Sequence, residues 1–172
     1  MENVYKGFKK FVHTYCNILF VCACIMLALL TAFVTMEVIM RYFLNSPTIW
    51  SFEIDGYLYV AMVLFALGFA QREDKHMKMD LLTGKVSGKK KNVLYIILAL
   101  LGLAYAFILC VFGWQYAHAA LIKGTRANST FRSPVWPSYM ALPIGALGIG
   151  LQYIVEIIDN IRAIRNGGED TK

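Results

Sequence analysis

Charge is scarce in this sequence, and what there is crowds into short connectors. Only 16% of the 172 residues are charged, while 58% are hydrophobic and the mean hydropathy is +0.54. A soluble domain carries about a quarter charged residues, so the balance points to lipid as the surrounding medium. Histidine is scarcer still: His13, His76 and His118. A transmembrane haem needs two histidines facing each other at matched depth. Only His118 lies inside an apolar run, which argues against a haem-carrying subunit. His76 and Asp80, four apart in a connector, lack the further ligands a metal site wants, and local hydrogen bonding is the simpler reading. The four cysteines, Cys16, Cys22, Cys24 and Cys110, show no CxxC spacing. They read as small packing residues and exclude a dithiol redox motif. A Walker A sequence, an HExxH pair and a credible Ser/His/Asp set are missing too.

What is present is four long charge-free stretches. Residues 16–36, 56–71, 92–122 and 133–155 hold 21, 16, 31 and 23 residues without a charge. A helix needs roughly 20 apolar residues to cross a hydrocarbon core of about 30 Å. Three runs qualify outright, and the second qualifies if residues 50–55 complete it in the headgroup zone. The runs exceed strand length and do not alternate strictly, which argues against a β-barrel. The expected fold is an all-α integral membrane protein forming one domain over 1–172. Its four transmembrane helices are placed at about 14–43, 51–72, 92–122 and 138–162. The first run follows a basic start like a signal peptide. It is too long, however, ends in Glu37 and Arg41, and has no small-residue cleavage site, so it reads as a retained span.

Lysine and arginine set the expected orientation. Lys6, Lys9 and Lys10 precede the first span. Arg72, Lys75, Lys78, Lys85, Lys89, Lys90 and Lys91 flank the second connector, and Arg162, Arg165 and Lys172 follow the fourth span. Against these 13 stand 4 on the other side, Arg41, Lys123, Arg126 and Arg132. The positive-inside rule then puts both termini and the second connector in the cytoplasm. Trp50, Trp114 and Trp136 all fall toward the opposite face, where indole rings favour the interface. The net charge of +6 is therefore topogenic, and no nucleic-acid binding is read into it.

Local signals refine the picture. Residues 1–15 interleave Tyr5, Phe8, Phe11 and Val12 with lysines, as an amphipathic segment lying in the headgroup layer would. Asn45, Ser46 and Pro47 break helix 1. Ser51 suits an N-cap, and Glu53 and Asp55 suit the positive end of the helix dipole. The second connector, 73–91, alternates apolar and polar residues at 76–82 and is expected to rest on the membrane surface. Helix 3, at 31 uncharged residues, must tilt or project. Gly124, Pro134 and Pro137 keep 123–138 non-helical, and helix 4, starting near Ser138, tolerates Pro143 early in its course.

A few residues stand out as candidates. Glu37 and Arg41 are four apart in the order that favours an ion pair. A structural pair near the membrane interface is one reading, and contact with a partner or ligand the other. Trp50, Glu53 and Tyr57 share a helix face. They read either as an interfacial anchor or as a receiver in which Glu53 takes a cation from Arg41 across the loop. Small residues recur four apart at Ala66/Ala70, Gly102/Ala106, Ala141/Gly145 and Ala146/Gly150, spacing that lets helices approach closely in lipid. No helix carries a charge at its centre, and no mid-membrane break supplies the discontinuous helices of a secondary transporter. Such a chain reads as a subunit, poorly equipped to transport or catalyse alone and not an enzyme.

The pattern resembles the small membrane subunit of tripartite ATP-independent periplasmic (TRAP) transporters, the DctQ-like family. The resemblance covers nearly the whole chain. It rests on Arg41-Tyr42-Phe43 closing helix 1 and Trp50-x-x-Glu53 opening helix 2. It also rests on Gly68-x-x-x-Arg72 leading to His76 and Asp80, and on Ser133-Pro134-x-Trp136-Pro137 running on to Pro143. The resemblance implies a multi-pass protein of the bacterial cytoplasmic (inner) membrane, in a symport system for an organic acid such as a C4-dicarboxylate or sialic acid. It implies a much larger membrane subunit that holds the sodium and substrate sites, so that neither cofactor nor sodium is expected on this chain. A periplasmic substrate-binding protein would dock on residues 46–50 and 126–136, where Arg126 and Arg132 suit an acidic surface. The chain's end soon after helix 4 is what a separately encoded small subunit is expected to show. Membrane lipids would surround the assembly. The alternative from a different class is a membrane anchor for a quinone- or haem-linked redox complex.

Overall fold

The computed structural model describes residues 2–46, 48–83 and 89–165, with side chains for 4–46, 48–73 and 93–165. Four helices follow in order: α1 (Glu2–Tyr42), α2 (Ser51–Thr83), α3 (Lys89–Ile122) and α4 (Trp136–Arg165). All four are long and apolar enough to cross a membrane. Their exposed faces are crowded with Ile, Leu, Val and Phe, as a surface in contact with lipid requires. The end of the bundle where the chain begins is called proximal below, and the opposite end distal.

The helices are not equivalent. α4 is the hub: it packs on α3, α2 and α1, while α1 and α2 also pair with each other. α3 is held almost entirely by α4. The reason lies in the residues of α4, whose buried positions include Ala141, Gly145, Ala146, Gly148 and Gly150. With no bulk on these positions the backbones of neighbouring helices come close, and dispersion contacts replace the hydrophobic drive that lipid does not supply. Gly145 meets Leu64 of α2, Gly150 meets Ala106 and Leu103 of α3, and Gly148 meets Leu19 and Tyr15 of α1. Three of the four sequence-level small pairs thus have a member in a helix contact. In the fourth pair, Ala66/Ala70, Ala66 is half-buried and Ala70 is exposed. Pro143 sits inside α4, buried against Gly113 of α3.

Several boundaries differ from the sequence expectation. Residues 2–15 do not form a separate segment lying in the headgroup layer: α1 runs unbroken from Glu2. Nothing between residues 8 and 42 breaks a helix, and Val12, wholly buried, joins Cys16 and Val155 in the core with Phe8 packed against it. α2 likewise continues past Arg72 to Thr83, so residues 73–83, expected in a surface connector, extend the helix instead. There is no proline or glycine between Arg72 and Gly84 to stop it. α3 begins three residues earlier than expected, at Lys89, and α4 two earlier, at Trp136. Ser51 opens α2, but its hydroxyl donates to Asp55 at 3.4 Å in place of capping the backbone.

Candidate functional site

The polar groups gather at the two ends of the bundle. At the distal end α1 closes with Phe43 bonded back to Ile39 and Asn45 in the left-handed region at φ 48°. Glu37 receives the Arg41 guanidinium at 2.9 Å and the Thr48 amide at 3.2 Å, together with the Thr48 hydroxyl. The pair therefore does more than stabilise one helix face: it ties the α1–α2 turn to the helix it leaves. Trp50 lies edge-on to Phe33, ring centroids 6.1 Å apart, and anchors the start of α2 against α1.

The α3–α4 connector folds into a short hairpin. The Ala127 amide donates to the Ser133 carbonyl at 2.8 Å, and the Val135 amide to the Thr125 carbonyl at 3.3 Å, around an Arg126–Pro134 bridge. Gly124 takes φ 59°, a conformation glycine adopts without strain, and Arg132 takes φ 53° at the tip. Glu53 fastens this hairpin to α2. Its carboxylate, 9% exposed, accepts from the Ser133 amide at 3.0 Å and from the hydroxyls of Ser133 and Ser129. One turn on, the Tyr57 hydroxyl donates to the Pro134 carbonyl at 3.0 Å and lies 2.6 Å from the Ser133 hydroxyl. The reading in which Glu53 takes a cation from Arg41 is thereby corrected: Arg41 belongs to Glu37, and serine hydroxyls and an amide occupy Glu53. Neutral donors satisfy this carboxylate because the hairpin folds over it and brings three N–H and O–H groups to one point.

With its root held, the hairpin presents its charges outward. Arg126 and Arg132 are exposed, and neither has an ion-pair partner among the described residues. Pro134, Trp136 and Pro137 are exposed beside them. The arrangement brings together no nucleophile or acid–base pair at an apolar pocket among the described residues. A rigid basic loop is equipped to meet another surface.

At the proximal end, Arg72 contacts Glu73 at 3.0 Å and the Asn17 side chain at 2.9 Å, with its guanidinium 4.5 Å over the Phe69 ring. It joins α2 to α1. The His76 and Asp80 side chains lie outside the described residues. Asp159 of α4 receives Lys9 at 3.0 Å and the Tyr5 hydroxyl, while Arg162 stacks 3.6 Å over the Tyr5 ring. Gln71 donates to Glu156 at 2.9 Å. Sequence reasoning put Glu156 and Asp159 inside the fourth span at 138–162 but gave them no role, because the charge-free run ends at Val155 and they read as the start of its polar exit. The signal that could have found them is periodicity: Gly145, Gly148, Gln152, Glu156 and Asp159 recur every three or four residues and share one helix face.

A four-helix architecture with polar caps at both ends is compatible with many membrane subunits, so the sequence relationship decides. Residues 30–163 match the family described as tripartite ATP-independent periplasmic transporters, DctQ component. The chain belongs to this family. It is thus a transporter component and no enzyme, and the redox-anchor alternative falls away. The DctQ match begins within α1 and ends within α4, so it takes in the Glu37–Thr48 turn, the Glu53-bound hairpin and the hub helix.

Individual TRAP small permeases are more distantly similar. The ectoine TRAP transporter small permease protein of Halomonas elongata is 24% identical over 125 residues, 73% of this chain and 64% of that protein. The sialic acid TRAP transporter small permease protein of Vibrio cholerae is 23% identical over 145 residues, 81% of this chain and 79% of its own length. The C4-dicarboxylate TRAP transporter small permease protein of the same species is 26% identical over 82 residues, covering 48% of this chain and 35% of that protein. The chain thus spans less than two thirds of the length of two of these three relatives.

Proposed function

We propose that this chain is the small membrane subunit of a sodium-driven TRAP transporter that takes up an organic anion of the C4-dicarboxylate or sialic acid class. It scaffolds the large transport subunit in the inner membrane and helps dock a periplasmic binding protein, with both termini cytoplasmic. The observation that carries this reading is the fastened hairpin. Glu53 and Tyr57 commit a buried carboxylate and a hydroxyl to holding the loop that displays Arg126 and Arg132. Rim charges of this kind steer encounter with an acidic partner. Orientation is supported by the lysine and arginine asymmetry, which puts the hairpin on the periplasmic side. Three relatives at 23–26% identity are named for three different solutes, which supports a role other than choosing the substrate. Sodium and substrate then belong to the large subunit.

The test is a mild-detergent pull-down of the tagged chain from native membranes, followed by mass spectrometry. A stoichiometric, very hydrophobic and much larger membrane protein is the expected companion. Recovery of the chain alone, or with redox proteins, overturns the proposal.

A further inference from the structure

α2 and α3 scarcely touch. Where they diverge over α4, a cleft of about 220 Å³ opens, lined by Gln71, Tyr95, Leu98, Ala99, Tyr153 and Glu156. Glu156 is 5% exposed, and among the described residues its side chain has one hydrogen bond, from the Gln71 amide. Most other described carboxylates are better provided for, Asp55 excepted, which has only the Ser51 hydroxyl at 3.4 Å. Glu37, Glu73 and Asp159 each have a cation, in Arg41, Arg72 and Lys9, and Glu53 has its hairpin donors. Glu156 has no cation within reach among the described residues. Burying a carboxylate costs several kcal/mol unless it is paired, and an acid inside a spanning helix marks a functional contact by default.

The walls of the cleft specify what it takes. Tyr153 is held against α3 because Gly102 leaves room for its ring: a β-carbon on Gly102 would fall 2.3 Å from it. Tyr95 supplies a second aromatic wall. A carboxylate sharing a cleft with aromatic rings selects an ammonium or guanidinium group. The stretch of α3 that carries Tyr95, Leu98 and Ala99 also offers an apolar, open rim, with its sequence neighbours Leu94, Ile97 and Leu101 38%, 50% and 66% exposed. A helix laid along that rim would cover apolar surface and could extend one long basic side chain into the cleft, its stem in lipid-like surroundings and its head on Glu156.

We infer that Glu156 is the receptor for a lysine or arginine side chain from a membrane helix of the large transport subunit, an inference that rests on the small-subunit reading above. The cleft is then part of the seam between the two membrane subunits. Glu156 lies nine residues before Arg165, about 14 Å along α4, within the depth that a long basic side chain can bridge from the headgroup zone.

The experiment uses the complex purified in mild detergent. A photo-crosslinking benzoylphenylalanine replaces Leu98, and Glu156→Gln and Glu156→Lys are made separately. The expected result is a crosslink from position 98 to a lysine- or arginine-bearing peptide of the large subunit. Glu156→Lys should lower recovery of that subunit by about tenfold or more and Glu156→Gln by less, with the tagged chain still monodisperse. If the unmodified chain brings down no large subunit, the small-subunit reading itself fails. If it does, yet position 98 crosslinks only to lipid, or both Glu156 variants retain the partner fully, the inference is overturned.

Discussion

Gly145 of α4 lies so close to the main chain of Leu64 in α2 that a β-carbon on it would fall 2.5 Å from the Leu64 carbonyl oxygen. The obstacle is backbone, which cannot rotate away as a side-chain tip can. Gly56, near the start of α2, has nothing within 4 Å of the same position. Gly145→Ala should therefore push α2 off the hub and cost about 1–3 kcal/mol, read as a lower melting temperature in detergent. Gly56→Ala should leave the melting temperature unchanged or slightly raised, since alanine is the better helix former. Equal effects at the two positions would contradict the close approach.

The hairpin should come loose when its clasp is removed. Glu53→Ala leaves the Ser133 amide and two serine hydroxyls without their shared acceptor. Hydrogen bonds to a charged group contribute about 1.5–3 kcal/mol, so trypsin cleavage at Arg126 and Arg132 in detergent should accelerate about tenfold or more. Tyr57→Phe removes a single hydroxyl and should have a smaller effect. Unaltered cleavage in Glu53→Ala would mean that the hairpin stands without α2.

Reversing the charges that the hairpin displays tests what the display is for. Arg126→Glu with Arg132→Glu touches no described ion pair, so the subunit should fold and assemble as before. Uptake by the reconstituted transporter should need a higher concentration of binding protein for half-maximal rate, and this dependence should soften as ionic strength rises. Unchanged uptake kinetics would count against docking at this loop.

Gln152 makes a different kind of test. It is 1% exposed on the α4 face turned to α1 and α2, and neither amide atom of its side chain is hydrogen-bonded. An unsatisfied buried amide costs about 1–3 kcal/mol, and an apolar side chain of similar shape relieves that cost. Gln152→Met should raise the melting temperature of the isolated subunit by a few degrees. A fall would contradict the picture of an amide without a partner.

The number of spans and their order could be read from charge-free runs because lipid admits so few alternatives: a helix has to be long, apolar and internally bonded. The ends of the helices were harder. Residues 2–15 and 73–83 carry charge and so resemble connectors, yet they are helical because hydrogen bonding along a helix needs only the absence of a breaker. The ion pair of Glu37 with Arg41 was legible, being local and four residues apart. The partners of Glu53 were not: Ser129 and Ser133 lie 76 and 80 positions away, and the hairpin that brings them back is fixed by backbone pairing that composition does not reveal. Glu156 and Asp159 were hidden for the opposite reason. They sit just past an apolar run, where charge usually marks the way out of the membrane, while α4 continues to Arg165.

The dependence of α3 on α4 has a consequence for how the protein is made. α1 and α2 can pair as soon as both have left the insertion machinery, since each offers the other a surface. α3 emerges with no such surface waiting for it, and it remains a solitary helix in lipid until translation delivers α4. The last span is therefore the one that completes the assembly: its arrival joins the early hairpin and the stranded third helix in a single step. A ribosome stalled before residue 136 would leave the early hairpin and the third helix joined by the chain between them but not packed on each other, and quality control has that interval in which to tell a finished subunit from an unfinished one.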